Sequence, residues 1–549
     1  MTIPRQHSAG SLTDPTPSKE EEVESPIRSP SPEPDPDSSS LKTRDATLTK
    51  TKSLEQSVSL PREVLVVGLI SLAQLTTQAG LGQVLSILHV IGDHFGVEDP
   101  GVLAWLIAGY SLTVGTFILF SGRLGDLFGW KKMLVFGYVW FGIWSLVAGL
   151  AWYSNHVLFI FARVLAGIGP AICMPNGLAL LGGLYSNGPR KNMAFAVFGA
   201  CAPGGAILGS AFAALFALAW WPWAFFSFAI TLFIIAIVAQ FAIPDPQDEK
   251  PGLKGLNFME SVWELDLLGA VVGITALVLV NFVWNQAPLE GVGWNSPYII
   301  VCLVLGLLLV PAFFYIEKRV ARNPLLPLEV FTSSNGFVLA CVACGWANFG
   351  IWVFYLWQIL EVLRGVSPLL GSAYLAPLTI SGAVAAITTG LVLHRMRPAW
   401  AMVIALCAFM TGSILVATLP VNQVYWAQIF VCTLIAPFGM DMSFPSATLV
   451  ISDSMPKKYQ GVAASLVNTV VNYSISLGLG FAGTIEVHVN NGGRTPADVL
   501  HGYRSALYMG IGLSGLGIFF ALTFLAKSYW DDRRRERVPD KEASMAMHD

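Results

Sequence analysis

Charged residues are scarce in this chain: Asp, Glu, Lys and Arg make up 12% of it, whereas hydrophobic residues make up 54%. Soluble globular domains carry about 25% charged residues, so this composition excludes that class of protein. A hydrocarbon core of about 30 Å is crossed by about 20 apolar residues in an α-helix. Runs of that length recur from residue 64 to residue 526, and ten-residue strands of alternating polarity are absent. The sequence therefore predicts an all-α membrane protein.

Several chemical signatures are also missing. The seven cysteines all fall inside apolar runs, which excludes a disulfide framework and favours a packing role. Cys341 and Cys344 have the spacing of a redox pair but lie in the middle of such a run. The chain has no G-x-x-x-x-G-K-[ST] nucleotide loop, no metal-spaced His/Cys cluster and no nucleophile elbow. We therefore expect neither enzymatic activity nor a bound cofactor or metal.

The order of apolar and polar segments predicts fourteen spans and their grouping. The first sixty residues are rich in Ser, Pro, Thr and charge, which is typical of a disordered tail. The longest internal polar connection separates six spans from the rest. The predicted parts are a cytosolic tail at 1–60, an N-terminal six-helix bundle at 61–243, a cytosolic linker at 244–265, an extra helix pair at 266–316, a C-terminal six-helix bundle at 317–526 and a cytosolic tail at 527–549.

Positive charges are distributed unevenly over the predicted loops. With the N-terminus placed in the cytosol, the inner loops hold fourteen Lys and Arg residues, and the outer loops hold three, namely Arg364, Arg494 and Arg504. Cytosolic loops of membrane proteins carry such an excess. We therefore expect both termini on the cytosolic side.

The most specific pattern is the segment 122–132, GRLGDLFGWKK, which we expect to form a short turn between span 2, at 102–121, and span 3. Glycines let helices approach closely, and charges at helix ends can form an ion pair that exists in one conformation and breaks in another. We therefore expect a conformational latch, and an ordinary positive turn at the membrane surface is the alternative. The latch residues are Gly122, Asp126, Gly129, Lys131 and Lys132.

This segment resembles G-x-L-x-D-x-x-G-x-[RK]-[RK], the signature loop between spans 2 and 3 of the major facilitator superfamily. The resemblance implies two six-helix bundles related by an axis along the membrane normal. With two extra central spans, the fourteen-helix plan resembles the drug:proton antiporter branch. Within it, the segments 74–80, QLTTQAG, and 437–446, PFGMDMSFPS, resemble fungal aminotriazole-resistance-type transporters.

Span 5 carries a ridge of small residues, Cys201, Gly205, Gly209 and Ala213, which recur every four residues and predict close helix packing. The segment around it loosely resembles the antiporters' span 5 motif, g-x-x-x-G-P-x-x-G-G, with Ala202 in place of the glycine before proline. Since that motif is linked with export, the departure leaves the direction of transport open.

Arg163 is the single Lys or Arg inside a predicted span. An arginine at the centre of a membrane helix costs about 2.5–3.5 kcal/mol on insertion scales. The segment resembles the family's R-x-x-x-G motif on span 4, which implies a role in proton transfer. Packing, or reaching towards the membrane surface, is the alternative.

Asp441 is the acid that the sequence places deepest in a span. We expect Pro437, Gly439 and Pro445 to break its helix and free backbone groups that need new partners. A carboxylate there can bind and release a proton, so Asp441 is predicted to couple transport to protons. The family's usual span 1 aspartate is absent, which makes another acid necessary. A cap or local partner of the broken helix is the alternative.

Polar and aromatic side chains recur at helical spacing in three spans. Such stripes avoid lipid and can line a central cavity for organic molecules of mixed polarity. Interhelical hydrogen bonding is an equally good explanation for any one of them. The predicted substrate-cavity residues are Gln74, Gln78, Asn348, Trp352, Tyr355, Asn468 and Asn472.

These features together predict a secondary active transporter that exports small organic or toxic compounds by alternating access, driven by the proton gradient. A proton-driven importer of a small solute and a non-transporting receptor of the same fold are the alternatives. The expected partners are a small-molecule substrate, protons and the lipid bilayer, without nucleic acid, and the protein is expected to be a monomer. The plasma membrane is the expected location, with the vacuolar membrane as the alternative.

Overall fold

A computed structural model describes residues 59–97, 99–185, 189–244, 263–289, 291–327, 330–393, 395–455 and 460–545. Over these ranges the chain is helical, without strands, and fourteen helices are long and apolar enough to cross a membrane. The predicted fold class is thereby confirmed. The predicted tail at 1–60, except for its last two residues, and most of the predicted linker at 244–265 lie outside the described residues.

We number the fourteen long helices in chain order. Their bounds are α1 Leu60–Leu85, α2 Pro100–Phe128, α3 Trp130–Leu150, α4 His156–Leu184, α5 Pro189–Ala217, α6 Pro222–Ala242, α7 Leu267–Gln286, α8 Pro297–Arg319, α9 Ser333–Gln358, α10 Pro368–Val392, α11 Pro398–Ala417, α12 Ile429–Asp453, α13 Gln460–Val489 and α14 Pro496–Met545. A short helix, Leu88–Phe95, connects α1 to α2, and a π-helical turn, Ile359–Leu363, extends α9.

Two helices run further than the sequence predicts. The segment expected to be a turn after residue 121 continues α2 to Phe128, and the chain breaks only at Gly129, whose φ of 99° favours glycine. The expected tail after residue 526 continues α14 to Met545. The segment 122–128 contains no proline, so α2 continues after its apolar run ends. The extension of α14 continues through Pro539.

Helices α1–α6 pack together as one bundle, and helices α9–α14 pack together as another. The predicted small-residue ridge of α5 packs against α1. A β-carbon on Gly205 would lie 2.2 Å from the carbonyl oxygen of Leu75, and one on Gly209 would lie 2.3 Å from that of Ala79. Any larger side chain would push these helices apart, because the two backbones are in direct contact.

The two bundles meet along α2 and α13, which run antiparallel. A β-carbon on Gly115 of α2 would lie 2.7 Å from the backbone nitrogen of Tyr473 in α13. Nearer the start of α2, the Ser476 hydroxyl donates to the carbonyl of Ala108 at 2.9 Å. The seam between the bundles is therefore closely packed at these points and carries a direct hydrogen bond.

The extra pair, α7 and α8, is attached to this seam through α7. The hydroxyl of Ser476 in α13 also lies 2.8 Å from the Asn281 side-chain oxygen of α7. The Asn285 amide donates to the Ser476 carbonyl at 3.2 Å, and the Tyr473 hydroxyl donates to the carbonyl of Leu277 at 3.1 Å. All three hydrogen-bonding side chains of the cluster Asn281, Asn285 and Ser476 are buried. Ser476 therefore joins α2, α7 and α13 at one point.

We predict that Ser476→Ala destabilises the protein, because it removes the hydroxyl that joins these three helices. Interhelical hydrogen bonds in membranes contribute about 0.6–2 kcal/mol, which corresponds to a fall of about 1–3 °C in the thermal midpoint for a large domain. The midpoint of the detergent-purified protein measures this. Ser505→Ala is the matched control, since that hydroxyl donates to the carbonyl of His501 in its own helix. Equal midpoints for the two variants would contradict the prediction.

Candidate functional site

Asp441 lies at the middle of α12, which passes through Pro437 and Pro445 as one helix. The predicted helix break is therefore wrong. Proline removes one backbone donor and bends a helix without ending it when packing supports the turns on either side. Pro445 has no N–H for the carbonyl of Asp441, four residues earlier, and nearby hydroxyls of Ser443 and Ser446 donate to other carbonyls of the same helix. The backbone at Asp441 is thus locally loosened inside a continuous helix.

The Asp441 carboxylate faces the place where the two bundles meet through α5 and α10. A β-carbon on Gly382 of α10 would lie 3.2 Å from Asp441 Oδ2 and 2.7 Å from Cγ of Pro203 in α5. Asp441 Oδ2 is buried, and it has no hydrogen-bond partner within the described part of the chain. Asp441, the predicted proton site, and Pro203, the proline of the span 5 motif, therefore both lie next to Gly382.

Arg163 is fully buried inside the first bundle. Its Nη2 donates to the carbonyl of Gly80 in α1 at 2.6 Å, and its Nε lies 3.5 Å from that of Leu106 in α2. The guanidinium carbon lies 4.5 Å from the centre of the Tyr110 ring. None of the described carboxylates lies within 4 Å of Arg163. These contacts hold α1, α2 and α4 together, as in the packing alternative, and the proton-transfer role of Arg163 stays a prediction.

The predicted cavity residues of α9 are buried in the second bundle. The Asn348 amide donates to the Phe409 carbonyl at 3.0 Å and accepts from the Ser413 hydroxyl at 2.7 Å, which uses both ends of the amide. The Trp352 indole donates to the sulfur of Cys432 at 3.2 Å. These contacts are hydrogen bonds between helices, which is the alternative to a role in lining the substrate cavity.

The predicted cavity residues of α1 and α13 lie closer to accessible space. Gln74, Gln78 and Asn472 are partly exposed, and Asn468 is 5% exposed. The amides of Asn468 and Asn472 donate to carbonyls one turn earlier in their own helix, at 3.1 and 3.0 Å. Their side-chain oxygens are directed away from those bonds and can accept from a ligand.

Tyr355, the last cavity residue predicted in α9, contacts an acid that the sequence analysis does not identify. Its hydroxyl donates to Glu486 Oε2 of α13 at 2.7 Å, and Glu486 is 4% exposed. The polar stripe predicted on span 13 reaches Glu486 when it is continued beyond Ser476 in steps of three and four residues. That continuation is the signal that could have found it.

A second missed pair joins the two bundles near Glu486. His89, in the short helix after α1, lies with its Nε2 2.7 Å from the side-chain oxygen of Gln358 at the end of α9. Burial lowers the pKa of His89, which favours the neutral ring. Because the side-chain oxygen of Gln358 can only accept, the Nε2–H of His89 donates to it. No periodic pattern marks His89, because it lies just beyond the end of an apolar run.

The signature segment lies at the opposite end of the bundles, which we call the signature face, around the end of α2 and the start of α3. A β-carbon on Gly125 would lie 1.7 Å from the side-chain oxygen of Asn176 in α4, so only glycine fits there. A β-carbon on Gly122 would lie 3.6 Å from atoms of Pro175 in α4 and Ser465 in α13. Gly122 is therefore close to both bundles.

The charged side chains of this segment differ in exposure, and their role as a conformational latch stays a prediction. Asp126 is exposed and accepts from the indole of Trp130 at 3.0 Å. Lys131 is 7% exposed, and Lys132 is exposed. Between residues that the structure describes, Arg123 of this segment forms an ion pair, in which its Nη2 lies 3.4 Å from Glu264 Oε1.

Arg123 connects α2 to the extra helix pair. It also donates to the Glu264 carbonyl, from Nη2 at 3.0 Å and from Nε at 3.2 Å. The other carboxylate oxygen of Glu264 accepts from the Asn323 amide, beyond α8, at 2.7 Å. We call Arg123, Glu264 and Asn323 the hairpin clamp. It joins α2 to both ends of the α7–α8 pair at the signature face.

Comparison with known proteins shows which family this chain is similar to. A family model described as Major Facilitator Superfamily matches residues 70–479. The low affinity ammonium transporter of Saccharomyces cerevisiae is 51% identical over 88% of this chain and 92% of its own length. The efflux pump terG of Aspergillus terreus is 44% identical over 86% of this chain and 89% of its own.

The aminotriazole resistance protein of Saccharomyces cerevisiae is 38% identical over 88% of each chain. The resemblance to fungal aminotriazole-resistance-type transporters is therefore confirmed. By name, these relatives are a transporter, an efflux pump and a resistance protein, and the chain covers most of each of them. This chain belongs to the major facilitator superfamily.

Proposed function

We propose that this secondary transporter exports small organic or toxic compounds in exchange for protons, and that Asp441 is its proton site. The observation that carries the proposal is the buried Asp441 oxygen without a hydrogen-bond partner, next to the contact of α5 with α10. Burying an unpaired carboxylate in an apolar setting is costly, so the group takes up a proton or a cation when it is buried. Movement at this contact would change the access of water to the carboxylate.

The proton gradient supplies enough free energy for this work. One proton crossing about 100 mV releases about 2.3 kcal/mol, and each pH unit adds about 1.4 kcal/mol. Together they sustain a concentration ratio on the order of several hundred for a neutral solute exchanged one to one. No cofactor, metal or enzymatic step is required.

The same carboxylate supports a second candidate, the transport of a small cation. The named function of the 51% identical relative is low-affinity ammonium transport. A cation could neutralise Asp441 in place of the proton, so the two ligands would compete. The importer and the non-transporting receptor use the same fold, and flux measured in both directions in vesicles separates them from the exporter.

We further propose a monomer in the plasma membrane, with both termini and the signature face in the cytosol; the vacuolar membrane is the alternative. The excess of Lys and Arg in the predicted inner loops supports this orientation. The domain boundaries given above, from the tail at 1–60 to the tail at 527–549, belong to the same proposal.

Asp441→Asn should abolish pH-driven accumulation in proteoliposomes while substrate exchange down its own gradient survives, because asparagine mimics the protonated acid. Asp441→Glu should retain partial coupling with an altered pH dependence. Asp453→Asn is the matched control, since Asp453 is exposed at the end of the same helix. Accumulation by Asp441→Asn at the wild-type level would place coupling elsewhere. Loss of both exchange and accumulation, with ammonium as the probe, would favour the cation candidate.

The hairpin clamp generates a prediction about conformation. Arg123→Glu should change the inward–outward exchange rate, and the double variant Arg123→Glu/Glu264→Arg should restore most of it by rebuilding the pair. Because both side chains are partly exposed, the pair contributes about 1 kcal/mol or less, so the expected change is about fivefold or less. Distances between spin labels on the two bundles measure the populations, and transport assays measure the rate.

Two comparisons complete this test. Arg319→Glu reverses an exposed charge at the end of α8 on the same face and should have no effect. Asp126→Asn tests the latch role that the sequence assigns to Asp126. If Asp126→Asn slows exchange and Arg123→Glu does not, the aspartate is the latch and the clamp has no part in it.

A further inference from the structure

The outer ends of α9 and α13, on the face opposite the signature segment, hold a buried acid without a cation. Glu486 is 4% exposed and accepts a hydrogen bond from the Tyr355 hydroxyl at 2.7 Å. Within the described ranges, no Lys, Arg or His forms an ion pair with it. Asp99, before α2, is a charged neighbour of the same sign. The surroundings therefore favour a neutral carboxylic acid over a carboxylate.

This acid lies beside the contact that closes the two bundles at the same end. His89 from the first bundle donates to Gln358 from the second, and this is the one hydrogen bond between side chains of the two bundles in the described ranges. The Tyr503 hydroxyl lies 3.5 Å from the same Gln358 oxygen, and the Tyr503 and Tyr355 rings are 5.5 Å apart. A continuous set of contacts therefore leads from Glu486 through two tyrosines to the inter-bundle contact. We call the His89–Gln358 contact the outer gate.

We propose that Glu486 is a second proton-binding site, distinct from Asp441, and that its protonation controls closure of the outer gate. This inference rests on the proposed exchange of protons for substrate. When the gate opens, external water reaches Glu486 and the carboxylate takes up a proton. The neutral acid can then be buried again without a counter-charge, and the gate closes with the proton inside.

The sign of the pH dependence follows from linkage. The closed gate buries Glu486 and therefore favours its protonated form, so acidic medium stabilises the closed gate and alkaline medium the open one. His89 acts in the opposite direction, because burial lowers the pKa of His89 and a charged ring resists closure. Asp93 acts electrostatically on His89 and favours its charged form. The phenols of Tyr355 and Tyr503 stay neutral between pH 5 and 8.

The gate can be measured without transport. Spin labels on cysteines at Tyr153 and Val424, in a variant without the seven native cysteines, would report one exposed outer loop on each bundle. In liposomes between pH 5 and 8, the ratio of long to short distances in the otherwise unaltered protein should rise with pH, by up to tenfold per unit for one linked proton. In Glu486→Gln, which is permanently neutral, the short distance should dominate throughout.

Several variants distinguish the acid from its neighbours. Asp498→Asn, which removes a partly exposed carboxylate at the start of α14, should keep the wild-type response. His89→Gln should also remain pH-dependent. Tyr355→Phe, which leaves the acid in place and removes its hydrogen-bond donor, should move the midpoint and supplies the test if Glu486→Gln does not fold.

The results that overturn the proposal are equally definite. A wild-type pH response in Glu486→Gln, or a response lost in His89→Gln instead, would show that Glu486 does not control the gate. An unaltered midpoint in Tyr355→Phe would do the same. The spin-label distances report the gate and not transport. A negative result of the Asp441 transport test would therefore not change how the Glu486 distances are interpreted. A negative result for Glu486 would likewise leave the Asp441 test valid.

Discussion

Inside a bilayer no water is available to hydrogen-bond a buried polar group, so such a group depends on partners within the protein, in its own helix or in a neighbouring one. This constraint explains the contacts that polar side chains make between helices. Arg163 reaches the carbonyl of Gly80 in α1, and Asn348 uses both ends of its amide on α11. The hydrogen bonds of these polar side chains therefore determine which helices are neighbours. The apolar side chains fill the space between the helices.

Against this background, two acids with incomplete compensation are informative. Asp441 Oδ2 has no hydrogen-bond partner among the described residues, and Glu486 has a tyrosine but no cation. Both acids lie beside contacts between the two bundles, one at Gly382 and Pro203 and one near the outer gate. A carboxyl group that is incompletely compensated in one conformation favours another in which water reaches it. Two such groups at different depths suit a protein that opens alternately to its two sides.

The extra helix pair, α7 and α8, is connected to the two bundles by polar contacts. Through Ser476, α7 is bonded to the α2–α13 seam in the membrane interior, and through the hairpin clamp the pair is bonded to α2 at the signature face. A rocking motion that separates α2 from α13 therefore has to stretch one of these attachments. The interior attachment is buried, whereas the clamp is partly exposed. Exposed ion pairs are the weaker of the two kinds of contact, so the clamp is the one expected to break.

The sequence by itself determined the fourteen spans, the family and the candidate acid Asp441, because apolar run length, glycine spacing and a lone acid are local properties of the chain. It also indicated the polar stripe on which Glu486 lies, through helical periodicity. Only the tertiary structure decided which neighbour each polar residue meets. Periodicity gives the direction of a side chain around its helix, but it does not tell which helix lies there. For that reason the clamp formed at Arg123 rather than Asp126, and Tyr355 lies against Glu486.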